Sequence, residues 1–351
     1  MSKKYKVLVF AYFEENLGDD LFLKVLFDRY PDAEWYMLES VAGKNSSLVN
    51  EYNLKFISKR EFIKTFYKFD AMINIGGSIF IQTRRWYGLF LKRLFFTIPL
   101  KLASKKVFII GANFGPFNSD LFKIAYNIYF KLINDICFRD EKSFKLFSKN
   151  KKVRLAPDII YGYKSEREIP KKKNSVGISI MDLENRKELK EFDQAYINKM
   201  ILLIEKLIEN KNEVFLFSFC EKEGDLNAIG KIVNSFKEDF KKNIKVVNYS
   251  GNIDVFLEQF SSIEYIISLR FHSFILSQVY KQPVFPIVYS EKTLNALMDI
   301  QLDNKFIELR DIENLEISGI INSISDNFID ITEISASSEN HFSEVDKLLG
   351  K

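Results

Sequence analysis

The chain has 351 residues, 47% of them hydrophobic and 28% charged, with 51 Lys and Arg against 47 Asp and Glu for a formal net charge of +4. That length exceeds what one hydrophobic core usually serves and predicts two domains, and the composition excludes a disordered chain. The near balance of charge excludes the clustered basic face of a nucleic-acid binder. Cys137 and Cys220 lie far apart, with no second Cys or His at metal-ligand spacing. They read as two reduced, buried thiols, and the chain as cytoplasmic.

In chain order, the opening MSKKYKVLVFAYF runs into EEN rather than a small-residue cleavage site, so it reads as a first strand and not a signal peptide. Further strands are expected near 33–39, 54–58, 71–76, 106–111, 135–139 and 153–156. Helical patterns such as DLFLKVLFDRY and EFIKTFYKF lie between them. Residues 84–106, RRWYGLFLKRLFFTIPLKLASKK, alternate aromatic and basic residues and leave two readings open. One is a crossover helix packed on its own sheet; the other is an interfacial helix giving peripheral membrane contact. No run of about 18 uninterrupted apolar residues exists to span a bilayer.

KSEREIPKKKN at 164–174 is charged, holds a proline and lacks apolar periodicity, which marks it as a linker. A second alternation follows, with strands near 175–180, 213–220, 244–249, 264–269 and 283–289 and helices such as YINKMILLIEKLIEN. ASSENHFSEVDKLLGK reads as a capped terminal helix, with His341 a surface or helix-end residue. The whole predicts an α/β fold of two tandem Rossmann-like, doubly wound domains, 1–165 and 166–335, with a tail helix at 336–351.

Such sheets take ligands at the carboxyl ends of their strands, where the strand order reverses. In the first domain that places Asn16, Gly18, Asp19, Gly76, Gly77 and Ser78 at one crevice. Later strand ends add Asn113, Arg139 and Asp158. GxGxxG is absent, and carboxylates stand where a pyrophosphate would sit, so a polyol such as a sugar suits this crevice better than a nucleotide. Asp19 and Asp20 also read as ordinary first-turn helix acids, and Arg139-Asp140 as a capping pair. In the second domain, Arg270 and His272 end one strand and Lys292 follows the next. Adjacent parallel strands stand about 4.8 Å apart, so the three can converge on an anion of high charge density.

Taken in order, NLGDD, GGS, GANFGP, RDEKS, PD and SLRFHSFILSQVYKQPVFPIVYSEKTLNAL resemble the polysaccharide pyruvyl transferase family across residues 7 to 300. The resemblance implies a GT-B-like fold with its active site in the inter-domain cleft. It also implies transfer of pyruvate from phosphoenolpyruvate to a sugar of a cell-surface glycan or its lipid-linked precursor, with a pyruvate ketal formed and phosphate released. The family's central block usually reads Arg-Leu-His; Phe271 replaces the leucine here, a departure that bears on the acceptor.

Under that reading His272 is the acid or the proton-bearing phosphate partner, with Asp19 and then Asp158 as bases. Arg270, Lys292 and Arg139 hold the donor. Asn16, Gly18, Gly76, Gly77, Ser78 and Asn113 face the acceptor on the N-terminal side. No metal and no cofactor beyond the co-substrate is expected. The protein is placed in the cytoplasm, with the inner face of the membrane as a peripheral option. Two other readings compete: a nucleotide-sugar glycosyltransferase, for which Glu291 is the one nearby ribose partner, and a non-catalytic glycan-assembly protein.

Overall fold

The computed structural model describes residues 4–39, 46–165, 168–290, 293, 294, 297, 306–327 and 329–351. The chain forms two compact units, one of Met1–Glu14, Asp19–Gly162 and Thr332–Lys351, the other of Glu15–Gly18 and Tyr163–Ile331.

In the first unit the strands are β1 (Lys6–Phe10), β2 (Glu34–Leu38), β3 (Lys55–Ile57), β4 (Ala71–Ile75), β5 (Lys106–Ala112), β6 (Asp135–Phe138) and β7 (Val153–Leu155). They pair in parallel in the order β3-β2-β1-β4-β5-β6-β7. The order reverses between β1 and β4, the two strands expected to be neighbours. β4 is buried at every position, as a strand covered on both faces must be, which is why AMINI reads as a continuous run rather than an alternation.

The 34 phenylalanines of the chain supply much of this core. Phe80 meets Tyr126 and Phe130 edge-on at 5.2 and 5.4 Å, and Phe114 meets Phe147 at 4.8 Å. These are favourable quadrupole geometries that add to the burial of each ring.

The second unit holds β8 (Lys172–Ile180), β9 (Glu213–Ser218), β10 (Ile244–Asn248), β11 (Ile263–Ser268), β12 (Val284–Val288) and β13 (Ile307–Glu308), in the order β10-β9-β8-β11-β12-β13. Here the reversal falls between β8 and β11. β13 has two residues, too few to carry a pattern, so the sequence did not predict it. β8 also begins inside the expected linker, at Lys172.

Residues 332–351 group with the first unit, and they form two helices, Thr332–Ser338 and Ser343–Leu349, split by a tight turn at Glu339–Phe342. The single terminal helix expected there is broken because the turn points His341 and Phe342 inward, to 0% and 2% exposure. His341 is therefore a core residue of this unit and not a surface one. The tail is also tied down by Asp346, which accepts from Arg29 Nε and Nη2 at 2.9 and 2.8 Å and from Tyr30 Oη at 2.7 Å.

Candidate active site

Within the first unit, seven of the expected residues cluster at the carboxyl ends of β1, β4, β5, β6 and β7. Arg139, after β6, donates to Asp158, after β7, at 2.6 Å and to Asn113 Oδ1 at 2.7 Å. Both ends of the ion pair are 3% exposed. Burial of a guanidinium demands such partners, since an unpaired charge in the core costs several kcal/mol.

Ser78 Oγ reaches Asn113 Oδ1 at 3.2 Å, and Asn113 N–H donates to Gly77 O at 2.8 Å. A Cβ at Gly77 would stand 2.5 Å from the Arg139 guanidinium, so only glycine lets β4's loop pass over it. Gly76 completes the loop, with Asp19 Oδ1 3.7 Å from where its Cβ would stand. Asp19 itself lies in the first turn of the helix Leu17–Arg29. The cluster presents amides, a hydroxyl and a carboxylate around one internally neutralised cation, a polar lining suited to hydroxyl groups.

Pro157, beside Asp158, is held from behind. Gly111 N–H donates to His341 Nδ1 at 3.3 Å, so Nε2 carries the imidazole proton and donates to Pro157 O at 2.7 Å. Burial, with Arg154 and Arg139 nearby, pushes His341 down to about 3, against the bond to Pro157 that favours its charge. It is a neutral imidazole fixed in one tautomer.

In the second unit, Arg270 caps the helix Phe271–Val279 directly after β11, and His272 sits in that helix's first turn. Ser179 of β8 pins this turn, accepting from Leu269 N–H at 2.9 Å and Arg270 N–H at 3.1 Å. Arg270 is 8% exposed and donates to two carboxylates, Glu223 and Asp225, both after β9. Asp225 also accepts from the Phe219 and Cys220 N–H groups at 3.0 Å each. Arg186, after β8, donates to Glu223 as well.

Burial alone would raise Glu223, but Arg270 and Arg186 more than offset it and hold the carboxyl below its ordinary value. The same carboxylates hold Arg270 firmly charged against its own desolvation. The structure adds counter-charge that the expected cationic pocket did not include: two arginines meet two carboxylates, because a guanidinium this buried needs it. The sequence reading missed Glu223, Asp225 and Arg186. EKEGD, directly after an expected strand, was the available signal.

Asn16 and Gly18 belong to this second cluster. Asn16 Nδ2 donates to Glu223 at 3.2 Å, and its Oδ1 accepts from Gly18 N–H at 3.1 Å. Leu17 N–H donates to Phe219 O at 3.1 Å. A Cβ on Gly18 would stand 1.7 Å from His272 Nδ1, so the imidazole lies directly on the Gly18 backbone. Both residues had been expected on the N-terminal, acceptor side; their contacts are with the loops after β9 and β11. Lys292 and Glu291 lie outside the described residues.

The comparisons with known proteins agree with this architecture. The chain is 23% identical over 311 residues to the amylovoran biosynthesis protein AmsJ of Erwinia amylovora, covering 81% of this chain and 71% of that one. Its fold is similar to that of Anabaena HepE, solved in complex with UDP, with a TM-score of 0.59, 10% identity and coverage of 99% and 97%. It is also similar to the UDP-GlcNAc 2-epimerase of Methanocaldococcus jannaschii, with a TM-score of 0.61, 11% identity and coverage of 98% and 100%. These likenesses establish a GT-B-like α/β fold with two parallel sheets. The profile of the family described as polysaccharide pyruvyl transferase matches residues 16–291, more than three quarters of the sequence and both clusters up to β12, and the chain belongs to that family.

Proposed function

We propose that the protein takes the pyruvyl group from phosphoenolpyruvate and forms a pyruvate ketal on a sugar of a cell-surface polysaccharide or its lipid-linked precursor. The observation that carries this reading is the pairing of Arg270 with His272 in one turn at the reversal point of a parallel sheet, in a chain of this family.

The chemistry balances as follows. A proton adds to the enol methylene of phosphoenolpyruvate, and a sugar hydroxyl adds to the carbon that becomes electron-poor, releasing its own proton. The C–O bond to phosphate then breaks, and a second hydroxyl closes the ketal while its proton leaves with the phosphate. His272 is the proposed acid, since an imidazole exchanges protons near neutral pH. Asp19 is the proposed base toward the hydroxyl, with Asp158 behind it. Arg270 and Lys292 are proposed to hold the donor anion.

Arg270's partners refine that role. Asp225 is fully buried, whereas Glu223 is 31% exposed. An incoming phosphate or carboxylate would displace Glu223 and leave Asp225 to anchor the guanidinium, whose fork offers two parallel bonds to an oxyanion.

Calorimetric titration of phosphoenolpyruvate, UDP and GDP into the protein tests the reading. Phosphoenolpyruvate is expected to bind, Glu223→Gln to tighten it by removing a competitor, and His272→Ala to stop transfer. Binding of a nucleotide in place of phosphoenolpyruvate would make the protein a nucleotide-sugar enzyme and sink the proposal.

A further inference from the structure

The first unit carries an outward face that a water-soluble surface does not explain. Among the described residues, eleven of the sixteen large hydrophobic side chains left exposed lie on three segments, Lys59–Lys68, Trp86–Leu102 and Asp120–Leu132. The segments pack side by side: Phe62 meets Phe96 at 4.6 Å, and Phe90 meets Tyr126 at 5.3 Å.

On the central helix Trp86, Phe96 and Leu100 face the core, as a crossover helix requires. Yet Leu91, Phe95, Ile98 and Leu102, at helical spacing, face outward at 63%, 41%, 43% and 81% exposure. Leu121, Ile124 and Ile128 repeat the stripe on the next helix at 55% to 59%. A surface helix normally turns polar residues outward; one apolar all round is normally covered on all sides.

Charge identifies the cover. Residues 71–119 contain no Asp or Glu but seven Lys and Arg. The three segments hold two acids, Glu61 and Asp120, both in helix first turns, and Glu61 is engaged in a capping box with Ser58. Lys64, Lys68, Arg84, Arg85 and Lys131 stand exposed around the apolar stripes. A second copy of this face would bring like charges together across an apolar contact, which is unfavourable. An anionic lipid surface satisfies both parts, taking apolar side chains into the acyl boundary and basic ones among the headgroups.

We propose that this face docks the protein on an anionic membrane surface. Docking lays the helix Trp86–Leu102, about 25 Å long, flat in the interface. No described helix is long and apolar enough to cross a membrane, so contact is peripheral. The inference stands apart from the pyruvyl reading, since it needs neither donor nor acceptor.

Flotation of the whole protein with vesicles tests it. The protein is expected to rise with vesicles of phosphatidylcholine and phosphatidylglycerol, to remain below with phosphatidylcholine alone, and to be released by salt. Leu91→Glu with Ile98→Glu should cut the bound fraction about tenfold or more, because each charge would enter the apolar boundary. Arg84→Gln with Arg85→Gln should weaken the preference for phosphatidylglycerol while the fold is intact, which keeps the test alive if the glutamate pair fails to fold. Failure to float at low salt would overturn the proposal. So would flotation equal to the unaltered protein in both variants, or a solution dimer that the glutamate pair dissociates without any vesicle binding.

Discussion

His341 makes the stability of the first unit depend on pH in a way that can be isolated. Its ordinary value is 6.5, and burial pushes it down to about 3 in the folded chain. Between those values the unfolded chain binds a proton that the folded chain refuses, so stability falls as pH drops below the unfolded value. Integrating a single site with those two values gives a loss of about 2 kcal/mol between about pH 7 and about pH 5. That window lies above the titration of most carboxylates, and comparison with a variant cancels His272, the other histidine.

The assay is urea unfolding at several pH values for the parent and for His341→Gln, whose amide can still reach either Pro157 O or Gly111 N–H. The variant starts lower by about 1–3 kcal/mol for an imperfectly replaced buried hydrogen bond, but it should be flatter with pH by the amount calculated. Parallel pH profiles for the two proteins would refute the reasoning, because they would mean that the imidazole titrates alike in the folded and unfolded chains.

Two further outcomes follow from the same geometry. Gly77→Ala drives a Cβ into the Arg139 guanidinium; if the buried pair with Asp158 breaks, the cost is about 3–5 kcal/mol, read as a lowered unfolding midpoint, whereas the exposed neighbour Ser78→Ala should leave it nearly unchanged. Cys137 and Cys220 are buried and their thiols pushed up to about 12 by desolvation, so a thiol reagent at neutral pH should label neither until denaturant is added; prompt labelling of the native protein would contradict the burial.

Much of the fold was legible because it rests on local pattern. A run such as AMINI marks a strand covered on both faces, and helical periodicity between such runs leaves few topologies besides a doubly wound sheet. The strand-end rule then located Gly77, Asn113, Arg139 and Asp158, which do meet, and Asp19, which lies beside Gly76. What misled was sign. Arg270 and His272 looked like the start of a cationic pocket, while the carboxylate partners of Arg270 lay more than forty residues upstream in a loop with no periodic signature.

The sequence by itself therefore determined the two α/β sheets, the family and the strand ends that carry charged groups, since hydrophobic period and motif order are properties of neighbouring residues. Tertiary structure alone decided which charges neutralise one another, that Asn16 and Gly18 join the loops after β9 and β11, and that a histidine in a polar-looking tail lies fully buried behind Asp158. Those outcomes depend on approach between segments up to 230 residues apart, as at Gly111 and His341. Desolvation acts on what surrounds a group in space, and no local pattern encodes that surrounding.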